Sequence, residues 1–79
     1  MAQIDICNFK RTEKERNTVH EKVHGSYSVF ELKGEKYFQL DTFGRSDREI
    51  PGKLSQTIQL DKEAAKLLVD LLRENFDLD

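Results

Sequence analysis

The most regular pattern in the chain is a stripe of apolar residues close to its C-terminus. Apolar side chains recur there at intervals of three and four residues, which is the period of an amphipathic α-helix. The stripe consists of Ala64, Leu67, Leu68, Leu71, Leu72 and Phe76, with Ala65 and Val69 on one flank. Asp61 precedes the stripe and can accept a hydrogen bond from the first helical turn. The pattern predicts a helix over residues 61–76 whose apolar face can cover a sheet and still meet a partner.

Upstream of this helix, apolar and polar side chains alternate as they do in half-buried β-strands. Two alternating segments, SYSVFEL and KYFQLDTF, flank Gly34 and Glu35, and a third covers residues 53–60. A two-residue loop with glycine first suits a type II′ hairpin and would place Leu32 opposite Tyr37. The sequence therefore predicts an antiparallel hairpin followed by a third strand.

Both faces of the predicted hairpin carry apolar or aromatic side chains. One face presents Tyr27, Val29, Phe38 and Leu40, and the other presents Phe30, Leu32, Tyr37, Gln39 and Phe43. Only one face can pack on the helix. The second face therefore needs another cover, which could be a ligand, a second subunit or a short N-terminal strand through Ile4 and Ile6.

Together these elements predict an α+β fold: a small antiparallel sheet of three to four strands with a C-terminal amphipathic helix packed on one face. The chain would form one small domain over residues 1–79. Its expected parts are an N-terminal strand and charged connection in residues 1–26, the antiparallel sheet in residues 27–60 and the helix in residues 61–76.

The composition agrees with a small domain and argues against several classes of protein. The 79 residues leave room for one domain, and no apolar run approaches the ~20 residues of a membrane span. The N-terminus lacks the basic start and apolar core of a secretory signal. The single cysteine, Cys7, cannot form an internal disulfide, so we expect a cytoplasmic protein.

The second hairpin face and the loop after it combine aromatic and basic residues. This combination is typical of single-stranded nucleic-acid binding, because bases stack on the rings and cations attract the phosphates. Residues 1–55 hold ten of the 13 Lys and Arg, whereas residues 56–79 hold three basic and six acidic side chains. We expect a binding site formed by Lys33, Lys36, Tyr37, Phe43, Arg45, Arg48 and Lys53. The cations would contact phosphates, and the two rings would stack on bases.

From Ser28 onward the chain runs through SVFELKGEKYFQLDTF, a polar loop with PGK, a strand and a capped helix. This order of elements resembles the transcriptional positive-cofactor-four family of single-stranded-DNA binders. The resemblance implies dimerisation through the helix and a sheet edge, with DNA bound in grooves lined by hairpin cations and aromatics. It places Lys33 at a basic turn position and Lys53 in a Pro-Gly-basic run. Glu35 and Asp41 depart from the family, since both stand where a basic residue would be expected.

These features predict a non-enzymatic homodimer that binds single-stranded nucleic acid in transcription or DNA metabolism and needs no bound cofactor. Residues 37–61 also resemble small bacterial reading frames without an assigned activity, which suggests a bacterial or phage source. The alternative is a small protein-interaction module, such as a bacterial or phage inhibitor or adaptor, that uses the same aromatic and basic face. The paired charges after Gly44 and the acidic balance of the chain favour this alternative.

One short motif, HEKVH, matches the H-E-x-x-H pattern of zinc peptidases through His20, Glu21 and His24. On a helix, the two histidines would share a face and bind one zinc ion, with the glutamate as general base. The chain has no third histidine. In an extended segment the two histidines would lie ~13 Å apart, too far to share a metal. We therefore interpret the motif as a chance match and expect neither a metal nor catalysis.

Overall fold

The structure, a computed structural model, describes residues 1–44 and 54–79. These residues form four strands, a short 3-10 helix and one α-helix. The strands are β1 (Ala2–Gln3), β2 (Gly25–Leu32), β3 (Glu35–Phe43) and β4 (Leu54–Leu60), the 3-10 helix is Ile6–Asn8, and the α-helix α1 is Lys62–Phe76. The predicted α+β fold class, with a sheet and one C-terminal helix, is confirmed.

The four strands form one sheet in the order β1-β4-β3-β2. Strand β3 pairs antiparallel with both β2 and β4, as predicted. Strand β1 instead pairs in parallel with β4, so the sheet is mixed and not wholly antiparallel. No hairpin turn fixes the direction of β1, because the chain after it leaves for β2 at the opposite edge of the sheet.

The N-terminal strand is shorter than the alternation of Ile4 and Ile6 predicts. Pairing continues as far as Ile4, whose N–H donates to the carbonyl of Gln59 at 3.0 Å. The Asp5 carboxylate then accepts from the N–H of Cys7 at 3.0 Å and caps the 3-10 helix. This local hydrogen bond competes with the strand ladder, which ends the strand before Ile6.

The hairpin loop consists of Lys33 and Gly34, one residue earlier than predicted. Both residues have positive φ, 52° and 80° respectively. Two consecutive left-handed residues are the geometry of a type I′ turn, which matches the twist of the flanking strands. The predicted loop of Gly34 and Glu35 is therefore wrong, because Glu35 begins β3.

This change of loop shifts the pairing of β2 with β3 by two residues. Tyr37 lies opposite Phe30 and not opposite Leu32. Side chains alternate with a period of two along a strand, so a shift of two residues keeps every side chain on its predicted face.

The helix matches its prediction closely. The Asp61 carboxylate accepts from the N–H of Ala64 at 2.8 Å and caps the first turn. At the other end Asp77 is left-handed, and its N–H donates to the carbonyl of Arg73. Both ends therefore satisfy backbone groups that a helix leaves without intrahelical partners.

The core between α1 and the sheet is small. Helix α1 packs on the face that carries Leu40, Ile58 and Leu60, with Ile4, Ile6 and Phe9 closing one side. Only Leu60, at 7% exposure, and Ala64, at 3%, are buried among the apolar side chains in the described residues. We call the face of the sheet on which α1 packs the helix-bearing face. The opposite face, which carries Phe30, Tyr37, Gln39, Thr57 and Gln59, is the open face.

The connection between the 3-10 helix and β2 carries no regular structure in residues 9–24 and is exposed throughout. In the described ranges, no helix combines the length and apolar content needed to cross a membrane.

Candidate nucleic-acid interface

The most distinctive feature of the open face is a pair of aromatic rings. The hairpin register places Phe30 and Tyr37 directly opposite each other on β2 and β3. Their ring centroids are 5.3 Å apart and their planes differ by 23°. This is an offset-stacked pair, in which each ring covers one side of its neighbour, and Phe30 remains 37% exposed. A planar ligand can therefore stack on the outside of the pair.

A hydrogen-bonded row of polar side chains lies next to the ring pair on β3 and β4. The Gln39 amide nitrogen donates to both Asp41 carboxylate oxygens at 3.1 Å, and the Thr57 hydroxyl donates to Oδ1 at 2.6 Å. The Gln59 amide nitrogen donates to the Gln39 Oε1 at 2.8 Å. We call Gln39, Asp41, Thr57 and Gln59 the polar row. Thr57 is only 8% exposed, so its hydroxyl depends on this bond.

The polar row fixes the orientation of the Gln39 amide, because its nitrogen faces Asp41 and its oxygen faces Gln59. Amides and carboxylates held in this way offer hydrogen bonds to the edge of a stacked base. The row also places one carboxylate near the centre of the face, which repels phosphate groups. The alternation of polar residues in β3 and β4 places these side chains on one face of each strand, but it does not give the register that brings them together.

The structure separates two of the predicted site residues, Lys36 and Tyr37. They are consecutive in β3, so their side chains point to opposite faces. Lys36 lies opposite Glu31 on the helix-bearing face, whereas Tyr37 stacks on Phe30 on the open face. Lys33 sits in the turn at the end of the hairpin.

The predicted stacking residue Phe43 lies at the far end of β3. Six residues of strand put it about 20 Å from Tyr37. The pairing of β3 with β4 is irregular at Thr42 and Phe43, and the Phe43 N–H donates to the carbonyl of His24 at 3.0 Å. The two rings therefore do not form one platform. The predicted cations Arg45, Arg48 and Lys53 lie outside the described residues.

The segment of His20, Glu21 and His24 contains no helix, so the shared face that an H-E-x-x-H zinc site requires does not form there. Across residues 1–44 and 54–79, no group of three or more His, Cys, Asp or Glu side chains is arranged to hold a metal ion.

Comparison of the chain with protein-family models, with curated proteins and with solved structures gives no match. The resemblance to the positive-cofactor-four family therefore rests on the order of elements in the sequence.

Proposed function

We propose that the protein binds single-stranded nucleic acid through the open face of its sheet. The observation that carries the proposal is the stacked pair of Phe30 and Tyr37 on the face of the sheet opposite α1. A base stacked on the outside of such a pair contributes about 1–3 kcal/mol to binding. Every base has an aromatic face, so this contact tolerates different sequences.

The polar row supports the same proposal. A base that stacks on Tyr37 brings its edge close to the neighbouring residue on that face, Gln39. The fixed amide and carboxylate groups of the row can then exchange hydrogen bonds with that edge. In this proposal stacking supplies most of the affinity, and the row supplies a preference among bases.

Phosphate contacts in the proposal come from the hairpin turn and the loop after β3. Lys33 lies at the turn, and Arg45, Arg48 and Lys53 follow β3 in sequence. Lys36 is not part of the proposed site, because it points to the helix-bearing face. With Asp41 on the open face, we expect few phosphate contacts and a correspondingly shallow dependence of affinity on salt. The proposed role is a non-catalytic one in transcription or DNA metabolism, in the cytoplasm.

The test is a fluorescence-anisotropy titration of a labelled single-stranded oligonucleotide with the full chain. We expect Tyr37→Ala to weaken binding about 5- to 150-fold, which corresponds to the loss of one stacked base. The matched control is Tyr37→Phe, which keeps the ring and removes only the hydroxyl. Binding that is undetectable for the unmodified chain, or equal for Tyr37→Ala and Tyr37→Phe, would reject the proposal.

A second candidate function is a protein-interaction module that uses the same open face. The charge of the hairpin favours this candidate, because the carboxylates of Glu35 and Asp41 lie on the same hairpin as Lys33. This arrangement suits a protein surface better than a polyanion. If this candidate is correct, a pull-down with the full chain recovers a stoichiometric protein partner, and the complex survives nuclease treatment. Tyr37→Ala should lose this partner, and Tyr37→Phe should retain it. Retention of that partner by Tyr37→Ala would exclude the open face as its docking site.

A further inference from the structure

Strand β2 forms one edge of the sheet, and within residues 1–44 and 54–79 no strand lies beyond it. All eight of its residues are exposed. The opposite edge of the sheet is different, because β1 is only two residues long and the chain then turns into the 3-10 helix. Of the two edges, β2 is therefore the one that is long enough to pair with a further strand.

The hairpin register decides which backbone groups of β2 are available at this edge. In a two-residue hairpin, the residues that flank the turn exchange both of their backbone hydrogen bonds, and this pattern recurs at every second residue. The even-numbered residues of β2 therefore bond to β3. The bond from the Phe43 N–H to the His24 carbonyl continues this pattern. The odd-numbered residues direct their N–H and C=O groups to the free edge: Gly25, Tyr27, Val29 and Glu31.

This edge lacks the features that usually prevent one strand edge from pairing with another. Such features are proline, lysine, a bulge or a very short strand. Strand β2 has no proline and no lysine, and it pairs with β3 at eight consecutive positions without a bulge. Apolar side chains project from both of its sides, with Val29 on the helix-bearing face and Phe30 on the open face. An added strand would therefore find apolar contacts on both faces.

We propose that β2 binds an extended peptide segment of another protein, which adds a strand to the sheet. The alternating N–H and C=O groups of the free edge match another extended backbone, whereas a nucleic acid or a small ligand does not present that pattern. Strand β2 carries one charge, Glu31, which already lies opposite Lys36 on β3. The proposed segment has apolar residues on both of its sides and a basic residue opposite Glu31, since opposite charges facing each other across two strands are favourable.

A second copy of β2 fits this edge less well than such a peptide does. Two antiparallel copies would join through their free backbone groups, so an odd-numbered residue of one copy lies opposite an odd-numbered residue of the other. None of the residues that a second β2 can then place opposite Glu31 is basic: Gly25, Tyr27, Val29 and Glu31. A peptide of another protein is free of this restriction.

A synthetic peptide with the sequence of β3, residues 35–43, is the probe for this edge. Paired antiparallel on the free edge, it places its Lys36 opposite Glu31 and its Phe38 opposite Val29, the same side-chain pairs that the hairpin contains. We expect the fluorescently labelled peptide to bind the full chain in an anisotropy titration without nucleic acid. A peptide with Lys36→Glu should bind about two- to fivefold more weakly, because two carboxylates then lie opposite each other.

Methylation of single backbone nitrogens of the peptide tests whether strand pairing holds it. In the proposed register the N–H of Phe38 in the peptide faces β2, and the N–H of Gln39 faces away. N-methylation at Phe38 should weaken binding by about tenfold or more, because it removes one hydrogen bond and puts a methyl group between the strands. N-methylation at Gln39 is the matched control and should change the affinity little.

A proline in β2 tests the same edge from the side of the chain. Val29→Pro removes an N–H that points to the free edge and leaves the bonds to β3 in place, which is the position in a sheet where proline is tolerated. It should weaken peptide binding by about tenfold or more. The control, Val29→Thr, keeps the N–H and the branched shape and should bind nearly as well as the unmodified chain. Circular dichroism checks that both variants fold, and the methylated peptides test the unmodified chain even where Val29→Pro does not.

Four results would each overturn the proposal. They are no binding of the unmodified peptide, equal affinities of the two methylated peptides, equal affinities of folded Val29→Pro and Val29→Thr, and equal affinities of the unmodified and Lys36→Glu peptides. Light scattering tests the second copy as the occupant: a dimer that excludes the peptide and that Val29→Pro converts to a monomer would assign the edge to a second copy and also overturn the proposal. Every measurement is made without nucleic acid, so none depends on whether the open face binds it.

Discussion

At the scale of single residues, the hydroxyl of Thr57 is the most constrained group on the open face. It is nearly buried and donates to Asp41 at 2.6 Å. Thr57→Val keeps the shape of the side chain and removes this donor, so one Asp41 oxygen loses a close hydrogen bond. We expect the free energy of unfolding to fall by about 1.5–3 kcal/mol, the range for a hydrogen bond to a charged group. Urea denaturation with an unchanged m-value would measure this loss.

The matched variant at this position is Thr57→Ser, which keeps the hydroxyl and removes one methyl group. Thr57→Ser should lower the free energy of unfolding less than Thr57→Val does, because the loss of one methyl group is smaller than the loss of a strong hydrogen bond. If serine proved as destabilising as valine, packing and not the bond to Asp41 would explain the burial of Thr57.

At the scale of elements, a substitution in the hairpin turn tests which of two pairings of β2 with β3 is formed, because the two pairings predict opposite changes in stability. Lys33 has a φ of 52°, a conformation that asparagine adopts more readily than lysine. Lys33→Asn should therefore stabilise the fold, by about 0.5–1 kcal/mol. In the pairing predicted from the sequence, Lys33 would be a strand residue, and asparagine is unfavourable in strands. A decrease in the urea midpoint would therefore support that pairing and contradict the observed turn.

The helix cap gives a second prediction at this scale. Asp61→Ala removes the acceptor that binds the Ala64 N–H at 2.8 Å, and we expect a loss of about 1 kcal/mol in the free energy of unfolding. Asp61→Asn keeps an acceptor oxygen and should lose much less. Thermal unfolding of the two variants side by side checks this, and equal losses would show that the charge of Asp61 matters more than its hydrogen bond.

The same elements show what the sequence can and cannot determine. Helix α1 was predictable because its stripe and its cap are both local. The turn was not, because Gly34 fits either a Lys33-Gly34 loop or a Gly34-Glu35 loop. A left-handed lysine costs about 1–2 kcal/mol. The observed pairing offsets this cost by placing Phe30 directly against Tyr37, a contact between residues seven positions apart in the chain.

The candidate site was predictable to the extent that it depends on alternation within a strand. Tyr37 was assigned to the correct face because a shift of two residues preserves faces, and the same rule would have placed Lys36 on the other face. The polar row was not predictable, because it requires the register between β3 and β4, and that register is set by contacts across the sheet that no short motif encodes.

At the scale of the whole molecule, the core is small, because only Leu60 and Ala64 are buried among the apolar side chains of the described residues, and a short chain buries a smaller share of its surface than a larger domain does. If the chain is a homodimer, as its sequence predicts, folding and association are one equilibrium, and the unfolding temperature depends on protein concentration. A tenfold increase in concentration adds about 1.4 kcal/mol per dimer, which for two chains of this length raises the midpoint by about 3–6 °C. A midpoint that stays constant over a hundredfold range of concentration would mean that the fold is stable as a monomer.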